Sequence, residues 1–302
     1  MSVQLGDFTG AFRHGAAGSG ATRAKALNTF KSLQEHASKS CWGKTTPANI
    51  TPKQVAGYLK SRVAKGISAR SVQNEASHIR RSVRGAGRKI GDLTDAKNNW
   101  SSTRLGVPKG SRIGGKAAIN IEKFTAARER MSTPMQTVLD LQMALGLRRE
   151  EAVIAKNTSD WNVALTAAQA QNRGTYLQLT ADAGTKGGRP RHIFVPPERV
   201  SSTLGAVSVA CNAKVFDGHI LDYPDLKHAL KGYDNAMSYQ ELTNTDSGHG
   251  IRRFFSCEQY DYYLSSGLDK NTALSRLSQD LGHGDGRGRW VWNNYLSGSR
   301  SE

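Results

Sequence analysis

Cysteine is scarce and badly placed for cross-linking: Cys41, Cys211 and Cys257 are odd in number, widely scattered and paired in no CxxC. A disulfide framework or a cysteine-based zinc site is therefore not expected, and a reducing cytoplasm suits such a chain. Long apolar runs are also missing. Hydrophobic residues make up 37% of the 302, and no run approaches the ~20 residues that span a bilayer. Met1 to Gly10 lacks a basic segment followed by an apolar core, so no secretory signal is expected. No internal repeat is found. Metal-ligand spacings are absent as well: Asp246, Asp280 and Asp285 flank His249 and His283, yet there is no HxH, HExxH or carboxylate pair. A metal-dependent nuclease is disfavoured for that reason.

Acidic residues are rare in one part of the chain, and there the charge becomes informative. The net charge is +17. Residues 1–111 hold 19 Lys/Arg against 5 Asp/Glu, a net of +14, and residues 112–302 hold 23 against 20, a net of +3. Such an excess repels itself unless a polyanion neutralises it. Nucleic acid is the leading partner, because Lys/Arg contacts to phosphate release condensed counterions. An anionic membrane surface fits less well, since no amphipathic helix carries a strong aromatic face.

Periodicity divides the chain. Residues 1–20, rich in Gly, Ala and Ser, read as a loose leader. Ala26, Phe30, Leu33 and Ala37 then mark one face of a helix. Thr51-Pro52 opens a second helix with a cap and a first-turn proline, and Ser68 caps a third through Val72, Ala76, Ile79 and Val83. The basic run Arg80-Arg81-Ser82-Val83-Arg84, with Arg88 and Lys89 beyond it, ends a helical DNA-binding module over residues 21–105. Residues 106–118, with Gly106, Pro108, Gly110, Gly114 and Gly115, read as a linker at the charge break. The second domain, 119–302, opens with helices near Ile121–Met131 and Pro134–Ala144. Two β-like runs follow, Thr175–Thr180 and Arg191–Val195, joined by a Gly-rich basic spacer that suits a hairpin. Residues 201–245 carry little signal.

Five local patterns in the second domain could carry chemistry, and each alone has a plain structural explanation. They are Gly146-Leu147-Arg148 with Glu151; Lys186 in the hairpin spacer; His249-Gly250-Ile251-Arg252, whose spacing of three shares a helical face; Leu281-Gly282-His283; and Tyr295. In this order they resemble the tyrosine recombinase (phage integrase) family, over roughly residues 20–300. The resemblance implies a mainly α fold with a small β-sheet: a helical core-binding domain followed by an α-rich catalytic domain that clamps duplex DNA. It implies cleavage and rejoining of DNA through a 3′-phosphotyrosyl bond on Tyr295, without metal or cofactor. Arg148 and Arg252 would hold the non-bridging oxygens, His249 and His283 would donate hydrogen bonds or move the Tyr295 proton, and Lys186 would protonate the leaving 5′ oxygen. Glu151 either orients the site or forms a plain helix ion pair.

Integration or excision of a mobile element follows, with a tetramer on DNA, an accessory DNA-bending protein as a further partner, and a cytoplasmic, nucleoid-associated location. Arg253, about 100° round the helix from Arg252, is expected on backbone phosphate with Arg80, Arg81, Arg84, Arg88 and Lys89. The gaps from Arg252 to His283 and from His283 to Tyr295 exceed the family's usual lengths, and Gly284, Gly286 and Gly288 suggest an inserted loop. Tyr260, Tyr262 and Tyr263 are the competing tyrosines. A type IB topoisomerase and a non-catalytic DNA-binding regulator on the same scaffold are the alternative functions.

Overall fold

The computed structural model describes residues 5–14, 20–43, 45–91, 99–109, 117–180, 182–183, 185, 190–213 and 220–300. The chain divides into two compact units, Met1–Ser111 and Arg112–Glu302. Among the described residues no helix is long and apolar enough to cross a membrane.

The first unit contains α1 (Leu5–His14), α2 (Gly20–Lys39), α3 (Pro52–Ala64) and α4 (Ala69–Gly85). Thr51 and Gln54 close a reciprocal capping box at the start of α3, and the Ser68 hydroxyl accepts the Ser71 N–H at the start of α4. Helix α1 corrects the expectation of a loose leader. Phe8 and Phe12, one turn apart, are buried beside Phe30, with ring centroids 5.4 and 5.9 Å from it. Glycines at 6 and 10 obscured that two-residue stripe, which tertiary burial makes sufficient. The first residues of the segment read as a linker also pack on this unit. Leu105 is buried in the first unit's core, and Gln73 Nε2 donates to the Pro108 carbonyl at 3.0 Å. Residues 110–116 lie outside the described set.

Two of the expected DNA contacts are occupied inside this unit. Arg80 donates through Nε to the Trp100 carbonyl at 2.7 Å and through Nη2 to Ser102 at 3.2 Å. Arg88 donates to the carbonyls of Pro47 and Ile50 and lies over the Trp100 ring. Both arginines hold the 99–109 segment or the α2–α3 connection in place, because buried carbonyls without helix partners need donors. Arg81 stacks on Phe12, 4.4 Å from its ring centroid. Arg84 and Lys89 are exposed.

The second unit runs α5 (Ile121–Glu129), α6 (Thr133–Leu145), α7 (Arg149–Ile154), α8 (Thr158–Ala170), β1 (Thr175–Leu179), β2 (Arg191–Val195), α9 (Pro197–Asn212) and α10 (Leu226–Tyr239). It continues through a 3-10 turn (Asn244–Asp246), α11 (Gly248–Ser265), α12 (Lys270–Asp280) and α13 (Gly288–Val291), which passes directly into a π-turn (Trp292–Leu296). The strands pair antiparallel, Thr175 opposite Val195 and Leu179 opposite Arg191. Within 201–245, which periodicity left undefined, α9 runs on to Asn212 and α10 covers Leu226–Tyr239, while residues 214–219 lie outside the described set. Helices α6 and α11 pack together in the core, with Val138, Leu141, Leu145, Ile251 and Phe255 fully buried.

Candidate active site

The first pattern is a helix junction. Gly146 ends α6 at φ +57°, and a Cβ there would lie 2.3 Å from the Phe255 ring, so both backbone and space require glycine. The chain then turns so that Arg148 caps α7. Glu151, three residues on, accepts the Arg148 backbone N–H at 2.7 Å and the Arg148 Nη1 at 2.6 Å. Glu151 is fully buried. Burial would raise its carboxyl, but Arg191, Arg252 and Arg148 outweigh that and hold it below the ordinary carboxylate value.

The Leu281-Gly282-His283 pattern proves to be a helix stop. Gly282 takes φ +67°; its N–H bonds to the Gln279 carbonyl and the His283 N–H to the Ser278 carbonyl, both at 2.8 Å. This is a Schellman closure. It leaves the carbonyls of Asp280 and Leu281 at the negative end of α12, where they need donors. Three guanidiniums supply them. Arg191 donates to Asp280 O, while Arg148 (3.1 Å) and Arg252 both donate to Leu281 O.

Arg252 projects from α11 with its side chain 1% exposed. Nη1 donates to the Gly146 carbonyl, which the left-handed turn presents, and Nε donates to Tyr295 Oη at 3.3 Å. His283 Nε2 lies 3.2 Å from the same oxygen. Trp290 packs on His283 with ring centroids 4.4 Å apart, fixing the imidazole plane. The π-turn delivers Tyr295: the Ser297 N–H bonds to the Trp292 carbonyl five residues back, at 2.9 Å. The extra residues after His283 fold back onto α12, where Ser278 Oγ donates to Gly284 O and Gln279 Nε2 to Asp285.

The competing tyrosines face elsewhere. Tyr263 donates to the Asp280 carboxyl at 2.6 Å, Tyr260 is buried against Trp292, and the Tyr262 ring lies 5.8 Å from that of Phe194. His249 heads α11 one turn before Arg252. Desolvation and then the charges of Arg252, Arg253, Arg148 and Arg149 lower its pKa. Arg253 is half-buried, donating to the Ala117 carbonyl at 3.4 Å; burial lowers its pKa, and nearby Tyr295 opposes this. Lys186 lies outside the described residues. Among the described residues no three His, Cys, Asp or Glu side chains converge as a metal site.

One residue of the cluster escaped sequence reasoning. Arg191 begins β2 facing inward, 3% exposed at its side chain, with Nη2 2.6 Å from Glu151 Oε2. Burial lowers its pKa to about 9 against the pull of Glu151, which leaves it charged at neutral pH. The signal was available: alternation puts residues 191, 193 and 195 on one face of the strand, and a charge among two buried aliphatics needs a partner. With Arg148 and Arg252 it sets three positive charges about one carboxylate, an excess suited to an anion.

Residues 106–258, just over half of the chain, match the family model described as Integrase, and residues 5–91 match the model described as Phage integrase, N-terminal. No curated protein is similar to the chain in sequence. Solved structures are similar in fold. A lambda integrase dimer bound to a COC′ core site superposes with TM-score 0.59 at 14% identity, over all of this chain and 80% of that one. XerH site-specific recombinase on a palindromic difH substrate gives 0.56 at 14%, over 93% and 76%. Tn1549 transposon integrase with circular intermediate DNA gives 0.52 at 13%, over 100% and 97%. On the family match, this chain belongs to the integrase family of DNA-cleaving and DNA-rejoining recombinases.

Proposed function

We propose that the chain recombines DNA by attack of Tyr295 on a backbone phosphate. The observation that carries this is the Tyr295 hydroxyl held between Arg252 Nε and His283 Nε2. In the step, Tyr295 Oη bonds to phosphorus, the bond to the 5′ oxygen breaks, and a 3′-phosphotyrosyl link conserves the phosphoester for rejoining. Donor capacity supports the phosphate-holding role. A guanidinium has five N–H donors; Arg148 uses two and Arg252 three on the partners described above. Their remaining N–H groups would serve the non-bridging oxygens, where charge builds in the transition state. His283, touching the hydroxyl, would take or share its proton, and His249 would donate to the phosphate. Lys186 would protonate the departing 5′ oxygen, and Glu151 would orient the arginines.

The first unit would hold the duplex, with exposed Arg84 and Lys89 and half-buried Arg81 as its phosphate contacts, and with Arg253 of the second unit as another. A lambda integrase forms a tetramer on a Holliday junction; by analogy this chain would assemble as a tetramer on two duplexes, with an accessory DNA-bending protein as a further partner. It would work on nucleoid DNA in the cytoplasm, and a mobile element would be its substrate.

The test is covalent capture of nicked suicide duplexes from a randomised library. The wild-type chain should yield a protein–DNA adduct that maps to Tyr295, and Tyr295→Phe should bind the same duplex yet form none. An adduct on Tyr260, Tyr262 or Tyr263, or specific binding with no adduct at all, would overturn the proposal.

A further inference from the structure

We infer that Arg191 is a positioning residue for cleavage: it locks Glu151 and the C-terminal corner of α12, and thereby the orientation of Arg148, Arg252 and His283. Arg191 can do this only if the chain cleaves DNA through Tyr295 as proposed above.

Among the described residues Arg191 makes no bond to Tyr295, and both of its terminal nitrogens are engaged inside the protein. It touches instead the groups on which the phosphate-facing residues rest. One arm reaches Glu151 Oε2, the oxygen that also accepts the Arg148 backbone N–H; Glu151 Oε1 accepts Arg148 Nη1. The other arm reaches the Asp280 carbonyl, one residue before the carbonyl shared by Arg148 and Arg252. Its methylene stem fills the space beside Gly282, where a Cβ would come within 2.6 Å of Arg191 Cδ. Without Arg191, Glu151 keeps hydrogen bonds from Arg148 alone, with Arg252 4.0 Å away, and the turn that aims His283 loses its support.

Stability alone is a poor reason for this residue. An inward position at a strand start suits an aliphatic side chain, as at Ile193 and Val195, and buried ion pairs are often matched or bettered by hydrophobic packing. Among the described residues, moreover, the Arg191 Nε–H is buried without an acceptor. What an aliphatic residue cannot supply is a planar fork that joins a carboxylate to a helix-end carbonyl.

Single-turnover cleavage of a pre-bound suicide duplex, captured beforehand by the wild-type chain, tests this. Arg191→Met should cleave about ten- to a hundredfold more slowly, the range for loss of a group that orients its neighbours, with Kd for the duplex unchanged within about twofold. Arg191→Lys, which keeps the charge but not the fork, should fold and fall between Arg191→Met and wild type. Combining Arg191→Met with Glu151→Gln should cost little more than either change alone, because both break the same link. Wild-type cleavage by Arg191→Lys would overturn the inference even if Arg191→Met fails to fold. So would additive losses in the double variant, or parallel loss of binding and cleavage. If the wild-type chain captures no duplex, it is the Tyr295 reaction that fails.

Discussion

Arg252 shows how much one side chain can bind together: its guanidinium joins the α6–α7 turn, the end of α12 and the Tyr295 hydroxyl. Losing either arginine proposed to hold the phosphate should therefore be severe. Arg148→Ala or Arg252→Ala should slow cleavage of bound DNA by about a hundredfold or more, the usual loss for one transition-state donor. Lys186→Ala should differ in kind. On a duplex with sulfur at the bridging 5′ position the leaving thiolate needs no proton, so Lys186→Ala should regain near-wild-type cleavage there while Arg148→Ala should not. Equal slowness of Lys186→Ala on both duplexes would make it a phosphate contact.

Asp280 predicts a pH effect. Burial raises its carboxyl to about 6, against the bonds from Tyr263 and Phe194. A carboxyl raised on folding contributes stability that is full below its unfolded value near 4 and is lost as pH rises through 6. From pH 4 to pH 7 the stability difference between wild type and Asp280→Asn should thus shift against wild type, by on the order of 2 kcal/mol. Denaturant titrations at several pH values read this directly, and parallel stability curves would contradict it.

Among the elements, α1 and the π-turn do most with least sequence signal. Helix α1 contributes Phe8, fully buried against Phe30, and accepts the Ser82 hydroxyl at the Phe8 carbonyl. Phe8→Ala should destabilise the first unit by about 3–5 kcal/mol, the range for a large buried aromatic, as measured by unfolding of the intact chain. A loss below ~1 kcal/mol, the size typical of a surface change, would mean the helix is dispensable. The π-turn explains how a long gap after His283 still brings Tyr295 to the site. Its wider winding, together with a loop stitched to α12 through Ser278 and Gln279, takes up the additional residues. The spacing of motifs conveys nothing about how such a loop folds back.

At the scale of the molecule, charge and chemistry separate: residues 1–111 carry +14 and the rest +3. Affinity of the full chain for duplex DNA should fall steeply with salt, with a log–log slope near 0.9 per phosphate neutralised. Arg84→Ala and Lys89→Ala should each reduce that slope by about one. Arg80→Ala and Arg88→Ala should instead lower stability, because their donors serve backbone carbonyls. A slope unaffected by Arg84 and Lys89 would move the DNA contact to another face.

The sequence by itself determined the two-part division, the helices with strong periodicity and caps, the hairpin strands, and the family pattern from Arg148 to Tyr295. These are local or ordered along the chain, so composition, spacing and capping chemistry reveal them. Tertiary structure alone decided which basic residues are free and which are committed. Arg80 and Arg84 look equivalent in a basic run, yet one is hydrogen-bonded to Trp100 and the other exposed. It also gave four tyrosines different surroundings and brought Arg191 to Glu151 across 40 residues of chain. The physical reason is common to all three: a guanidinium or hydroxyl takes its role from the acceptors that folding puts within about 3 Å of it, and those acceptors are distant in sequence.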